Sequence, residues 1–211
     1  MVQAEIVGQV GEQRLAQGVN GIVRQGPLAE VMISELRGRY SEQNYNNRMF
    51  IAALQNIQAL SAYNTQTYTG LCLVNPANSQ VVLELDEIVT VPASAPSGLA
   101  AIALGYNTAL PTTYTTQLTT QPAKLSTTGS SGAKATAWSA VTLAANPTII
   151  RPIACDLASG STVTMAALKD DVGGAILLEP GTCIESVYWT TAISVLQSFT
   201  WTELPLSLFM G

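Results

Sequence analysis

Histidine is absent from this chain of 211 residues, and that absence excludes more chemistry than any other feature of the composition. Without imidazole there is no Ser-His-Asp or Cys-His nucleophilic arrangement, no histidine acid–base work and no histidine-rich metal site. A Gly-rich phosphate loop ending in Lys-Ser or Lys-Thr, a C-x-x-C pair and a dinucleotide fingerprint are missing too. The expectation is a protein that is not an enzyme and binds no cofactor. Carboxylates remain, in Glu84, Asp86, Glu87 and in Asp170–Asp171, where a glycosidase-like pair or a hard-cation site is conceivable. The bland reading is preferred for both: "DDVGG" reads as a turn, and Glu84 and Asp86 as one exposed strand face.

Charge is scarce. Asp, Glu, Lys and Arg make up 11% of the chain, less than half the roughly 25% of ordinary soluble domains. Between Met49 and Ala123 there is no Lys or Arg, and beyond Arg48 only Lys124, Lys134, Arg151 and Lys169 face nine carboxylates. Such a body cannot neutralise a row of phosphates, so nucleic acid is excluded as an expected partner. A basic amphipathic stretch, a run of about 18 apolar residues and a secretory n-region are also lacking. No membrane partner is expected, and the chain reads as made in the cytoplasm and kept there until it assembles. With 47% apolar residues and so little charge, the surface must be covered by contacts with other molecules.

Cysteine is sparse and uneven: Cys72, Cys155 and Cys183 sit in apolar runs and read as small buried hydrophobes. A Cys155–Cys183 disulfide is compatible with the sequence without being supported by it.

What is present changes character near residue 48. Threonine does not occur before Thr65, whereas Arg14, Arg24, Arg37, Arg39 and Arg48 crowd the first 48 residues. Residues 1–48 are expected to form an N-terminal arm and one short helix, and 49–211 the body. Glycines at 8, 11, 18, 21 and 26 argue against a helix in the arm. "PLAEVMISELRGRY" reads as a helix, with Pro27 in its first turn and Gly38 at its end. The polar stretch from Arg37 to Phe50 is expected to be a docking hinge to a neighbour, through Arg37, Arg39, Tyr40, Tyr45 and Arg48, because Arg and Tyr favour interface centres.

The body reads as about eight or nine strands separated by Gly, Pro and Asn, which points to a sandwich or jelly roll. "TYTGLCLVNPANSQVVLELDEIVTVP" is the clearest piece, a hairpin candidate with an irregularity at Asp86 and Glu87. Residues 107–137 form a long Thr-rich excursion whose part from Pro111 to Gln121 holds six threonines. It is expected to be ordered against a neighbouring chain through Tyr114 and Leu118, four apart on one extended face, with a mobile tip from Ser126 to Lys134. Trp138, Trp189 and Trp201 can serve as sugar-stacking platforms, although the last two read more simply as core.

"GRYSE" (Gly38–Glu42), the step from Arg48 to Leu54, "TGLCLVNP" (Thr69–Pro76), "LLEPGTCI" (Leu177–Ile184) and "FTWTELP" (Phe199–Pro205) together resemble small virion proteins of tailed bacteriophages. The resemblance implies a jelly-roll-like body that assembles as a homotrimer and sits on the phage head as a cement or decoration protein. The major capsid protein would then be the partner and the virion the location. A tail, baseplate or fibre-anchoring component is the alternative, followed by a carbohydrate-binding module and by a major capsid protein.

Overall fold

A computed structural model describes residues 40–93, 98, 100–125, 132–156 and 168–208. The chain divides into two compact units, 1–41 and 42–211. The expected arm, nearly all of the expected helix at 27–40, Arg37 and Arg39 lie outside the described residues. At the boundary lies α1 (Ser41–Tyr45), a helix of five residues. It stops at Asn47, whose φ of 54° is one that Asn tolerates better than most residues.

Twelve strands follow: β1 (Met49–Ala53), β2 (Gln58–Ala59), β3 (Thr67–Asn75), β4 (Val81–Pro92), β5 (Ala100–Asn107), β6 (Thr113–Leu118), β7 (Thr120–Pro122), β8 (Thr136–Thr142), β9 (Thr148–Asp156), β10 (Leu168–Leu178), β11 (Thr182–Tyr188) and β12 (Ser194–Pro205). One sheet runs β10-β4-β12-β1-β7, with β2 beside β12; the other runs β6-β8-β3-β11-β5-β9. Every named pairing is antiparallel. Without the excursion strands and β2, the orders β10-β4-β12-β1 and β9-β5-β11-β3 are those of an eight-stranded jelly roll. The fold is mainly β, a jelly-roll sandwich with one short α-helix among the described residues.

The expected hairpin is half right. β3 and β4 are the strands, but they lie in different sheets and do not pair. The link between them is a corner rather than a tight hairpin loop. Ser79 N donates to Pro76 O, Gln80 takes a φ of 60°, and the Asn75 amide donates to Val81 O and Leu178 O, both at 2.9 Å. The irregularity in β4 is a bulge: Glu87 faces Thr200 and Leu85 faces Trp201, leaving Asp86 as the extra residue. The bulge restores the inward phase, so Leu83, Leu85, Ile88 and Thr90 are all 0% exposed. It also removes Asp86 from any exposed face shared with Glu84, since Asp86 is buried and accepts a 2.7 Å hydrogen bond from Thr202 Oγ1. "DDVGG" is likewise no turn. It lies within β10 at a register shift between Asp171 and Ile176, where Gly173 and Gly174 have φ of 60° and 81°.

The expected excursion at 107–137 is the first part of a longer insertion, 108–147, that joins β5 to β9 and adds β6, β7 and β8 to the sandwich. β8 pairs with β3 and β6 with β8, extending one sheet, while β7 pairs with β1 in the other. Its order therefore comes from this chain's own strands, where a neighbouring chain was expected to supply it. Its return is clamped by Glu203, whose carboxylate accepts from Lys134 N at 2.9 and 3.0 Å and from Ala135 N at 2.9 Å. Lys134 is thus no part of a free tip; residues 126–131 lie outside the described residues.

Between the sheets, Phe50, Phe199 and Trp201 join leucines from both layers. Truncating Phe199 to Ala is expected to cost about 3–5 kcal/mol, the usual range for a buried aromatic, read as a lowered denaturation midpoint. Glu203→Gln is expected to speed hydrogen exchange at the Lys134 and Ala135 amides while amides of β5 and β11 stay protected; unchanged exchange at both would remove the clamp.

Candidate functional site

The second sheet is covered on both faces. Its inner face meets the main core, and its outer face carries a smaller buried cluster that includes Tyr68, Val141, Leu143 and Val187. Register places chemistry there. Across the strands, Trp138 stands opposite Cys72, Cys72 opposite Glu185, Glu185 opposite Gly105 and Gly105 opposite Ile149. Two residues along, Val74, Cys183 and Asn107 form the adjacent row. A two-residue step returns to the same face of a strand, so the rows lie side by side.

The donor atoms of Cys72, Cys183 and Glu185 lie within 4.8 Å of one another, and all three residues are 0% exposed. Asn107 Nδ2 donates to Glu185 Oε1 at 2.7 Å, and Cys183 Sγ points to the Ala109 carbonyl at 3.7 Å. Gly105 supplies the space. A Cβ there would stand 2.6 Å from Pro147 Cβ and 3.3 Å from Glu185 Oε1, so any other residue displaces the carboxyl or the Pro147 loop. Below the pair, the Tyr68 hydroxyl donates toward the Ser186 carbonyl at 2.8 Å and the Leu71 carbonyl at 3.0 Å, and accepts from Ser186 N. Tyr68 folds over Gly70, whose φ of 130° suits glycine alone and whose absent Cβ would come within 2.5 Å of the Tyr68 hydroxyl.

Burial pushes the Glu185 carboxyl up to about 8, more than the Asn107 amide and Cys183 thiol bring it down. Cys72 is held well above its ordinary value by the Cys183 thiol and then by burial. Tyr68 is raised likewise, chiefly by burial. A sealed, protonated thiol is a poor nucleophile. The arrangement offers donors instead, and one is unused: Glu185 Oε2 has no hydrogen-bond partner. Leaving such a group bare costs about 1–3 kcal/mol.

The residues expected from sequence do not gather here. Tyr40 is half-buried, Tyr45 is 51% exposed under a Lys124 ammonium 5.2 Å from its ring centre, and Arg48 is exposed. Tyr114 and Leu118 do not share a face: a register shift that leaves Thr115 as an extra residue of β6 separates them, and a second shift leaves Ser139 extra on β8. Tyr114 is 39% exposed and packs on Trp138 with ring centres 4.8 Å apart, whereas Leu118 joins the main core and cannot serve as an outward contact. The Cys155–Cys183 bridge that the sequence allowed without supporting is not formed: Cys183 is a free thiol beside Cys72. Trp201 is core as expected; Trp189 is 51% exposed just past the end of β11, with the Tyr63 ring edge-on to it.

Sequence reasoning passed over Glu185, Asn107 and Gly105. The available signal was a charge inside "GTCIESVYW", two residues from a cysteine in an otherwise uncharged strand. Among the described residues no helix is long and apolar enough to cross a membrane. Comparison with protein-family models, with curated proteins and with solved structures finds no match to this chain.

Glu185 makes stability depend on pH. Its folded value lies above that of an unfolded glutamate, so the native state holds a proton that the unfolded state releases, and stability falls as pH rises from about 4.5 through about 8. With chelator present, the unfolding midpoint of the wild type is expected to decline across that window. Glu185→Gln is expected to remove that decline.

Proposed function

We propose that this chain is a structural virion protein of a tailed phage, a cement or decoration protein whose β-body forms a homotrimer on the head. The observation that carries this reading is the surface of the body. Ile57, Tyr114, Ile150, Leu177, Trp189 and Leu196 are all more than a third exposed. Charge around them is thin and partly self-neutralised, Arg151 pairing with Asp170 at 2.7 Å and Lys169 with Glu87 at 2.6 Å. A surface of that kind favours burial against copies of itself and a shell.

The Thr-rich excursion fits the same reading. The run Thr113–Gln117 on β6 is exposed and uncharged at the edge of its sheet. An unprotected edge of this kind is a template for pairing with another chain. The sealed jelly roll behind it gives that edge a rigid backing, and the segment before Glu42 supplies a candidate tether to the major capsid protein.

Sedimentation of the full chain is expected to give a trimer, and Thr113→Lys with Thr115→Lys to shift it toward monomer without lowering the unfolding midpoint. Deleting residues 1–36 is expected to abolish binding to capsid shells while the trimer persists. A monodisperse monomer that still decorates shells without the arm would end the proposal. Hundreds of copies per particle, by gel densitometry, are expected for a head protein, and a few dozen or fewer would move it to the tail.

A further inference from the structure

We infer that Cys72, Cys183 and Glu185 form a structural site for a zinc-like divalent ion, buried between the outer face of the second sheet and the excursion. Three donors converge from two adjacent strands, two sulfurs and one carboxylate oxygen, all within 4.8 Å. Tetrahedral zinc, with bonds of about 2.3 Å to sulfur and about 2.0 Å to oxygen, needs its donors roughly 3.3–3.8 Å apart. Small rotations of three side chains close that difference. A second observation points the same way: Glu185 Oε2 is buried without a hydrogen-bond partner beside the thiols.

The neighbours suit an ion as well. Asn107 already donates to Glu185 Oε1 at 2.7 Å, the kind of outer partner that orients a metal-binding carboxylate. The Ala109 carbonyl, 3.7 Å from Cys183 Sγ, is at hand as a fourth donor. Two sulfurs argue against calcium or magnesium, which take oxygen ligands, and the carboxylate favours borderline zinc over a purely thiophilic cuprous ion. Complete burial of all three residues leaves no open position for a substrate, so the site is structural. Its effect is to tie β3 to β11 and, through Ala109, to hold the start of the excursion against the sheet.

The test is refolding of the full chain with Co2+ or Zn2+, because a sealed site fills as the chain folds. One ion per folded chain is expected, with a thiolate-to-cobalt charge-transfer band and a rise in unfolding midpoint that chelator removes. Cys183→Ser is expected to cut the band to about half or less, and Cys72→Ser with Cys183→Ser to abolish it. Glu185→Gln, which keeps the side-chain shape and so guards against a variant that merely misfolds, is expected to retain the fold and weaken binding more than tenfold. Asn107→Ala is expected to weaken it about 10- to 100-fold. No stoichiometric ion in the wild type, a band of undiminished strength in Cys183→Ser, or wild-type affinity in Glu185→Gln would each overturn the inference. So would recovery of the refolded wild type with Cys72 and Cys183 joined as a disulfide under reducing conditions.

Discussion

β12 holds the body together because it lies between β1, near the start of the second unit, and β4. Its ladder with β4 runs from Val195 to Pro205, and its other edge takes all five residues of β1. Strands this far apart in sequence pair only after the chain between them has been gathered, which costs loop entropy that local contacts do not repay. The return comes from burial. Val195, Phe199 and Trp201 all project into the space between the sheets and are 0% exposed. The bulge at Asp86 is part of the same arrangement, since without the extra residue β4 would turn Ile88 and Thr90 away from the side that Leu83 and Leu85 occupy.

The excursion is tied into both sheets by different means. β6 and β8 add to the β3 side, β7 adds to β1, and Glu203 on β12 clamps the backbone as it returns at Lys134 and Ala135. Covering two neighbouring edges with one insertion protects them from unwanted pairing and leaves β6 and the three-residue β7 as the new edges. The longer of the two, the exposed and uncharged β6, is where the proposed assembly and the physical protection of the fold meet.

Covering the outer face of the second sheet has a chemical consequence. Cys72, Cys183, Glu185 and Asn107 would be half-solvated on an open sheet; beneath Leu110, Trp138 and Ile149 they are enclosed. Gly105 leaves the room that the Glu185 carboxyl fills. A carboxyl in such a place is stable only protonated, hydrogen-bonded or bound to a cation, which links the pH dependence of stability to the inferred metal site.

Alternation of apolar residues and the placement of Gly, Pro and Asn determined the β class, most strand positions and even the irregularity at Asp86, because these follow from local backbone geometry and a two-residue period. The scarcity of charge was equally plain. Tertiary structure alone decided which strands are neighbours, and with it everything that rests on register. β3 and β4 look like a hairpin in sequence yet enter different sheets. Leu118 looked outward beside Tyr114 until the extra residue Thr115 in β6 turned it into the core. Glu185 lies 113 positions from Cys72, and no local period could announce that the two stand opposite each other. Pairing between distant strands is set by the burial of whole faces at once, so the chemistry it brings together is a property of the packed sandwich and of no single stretch of chain.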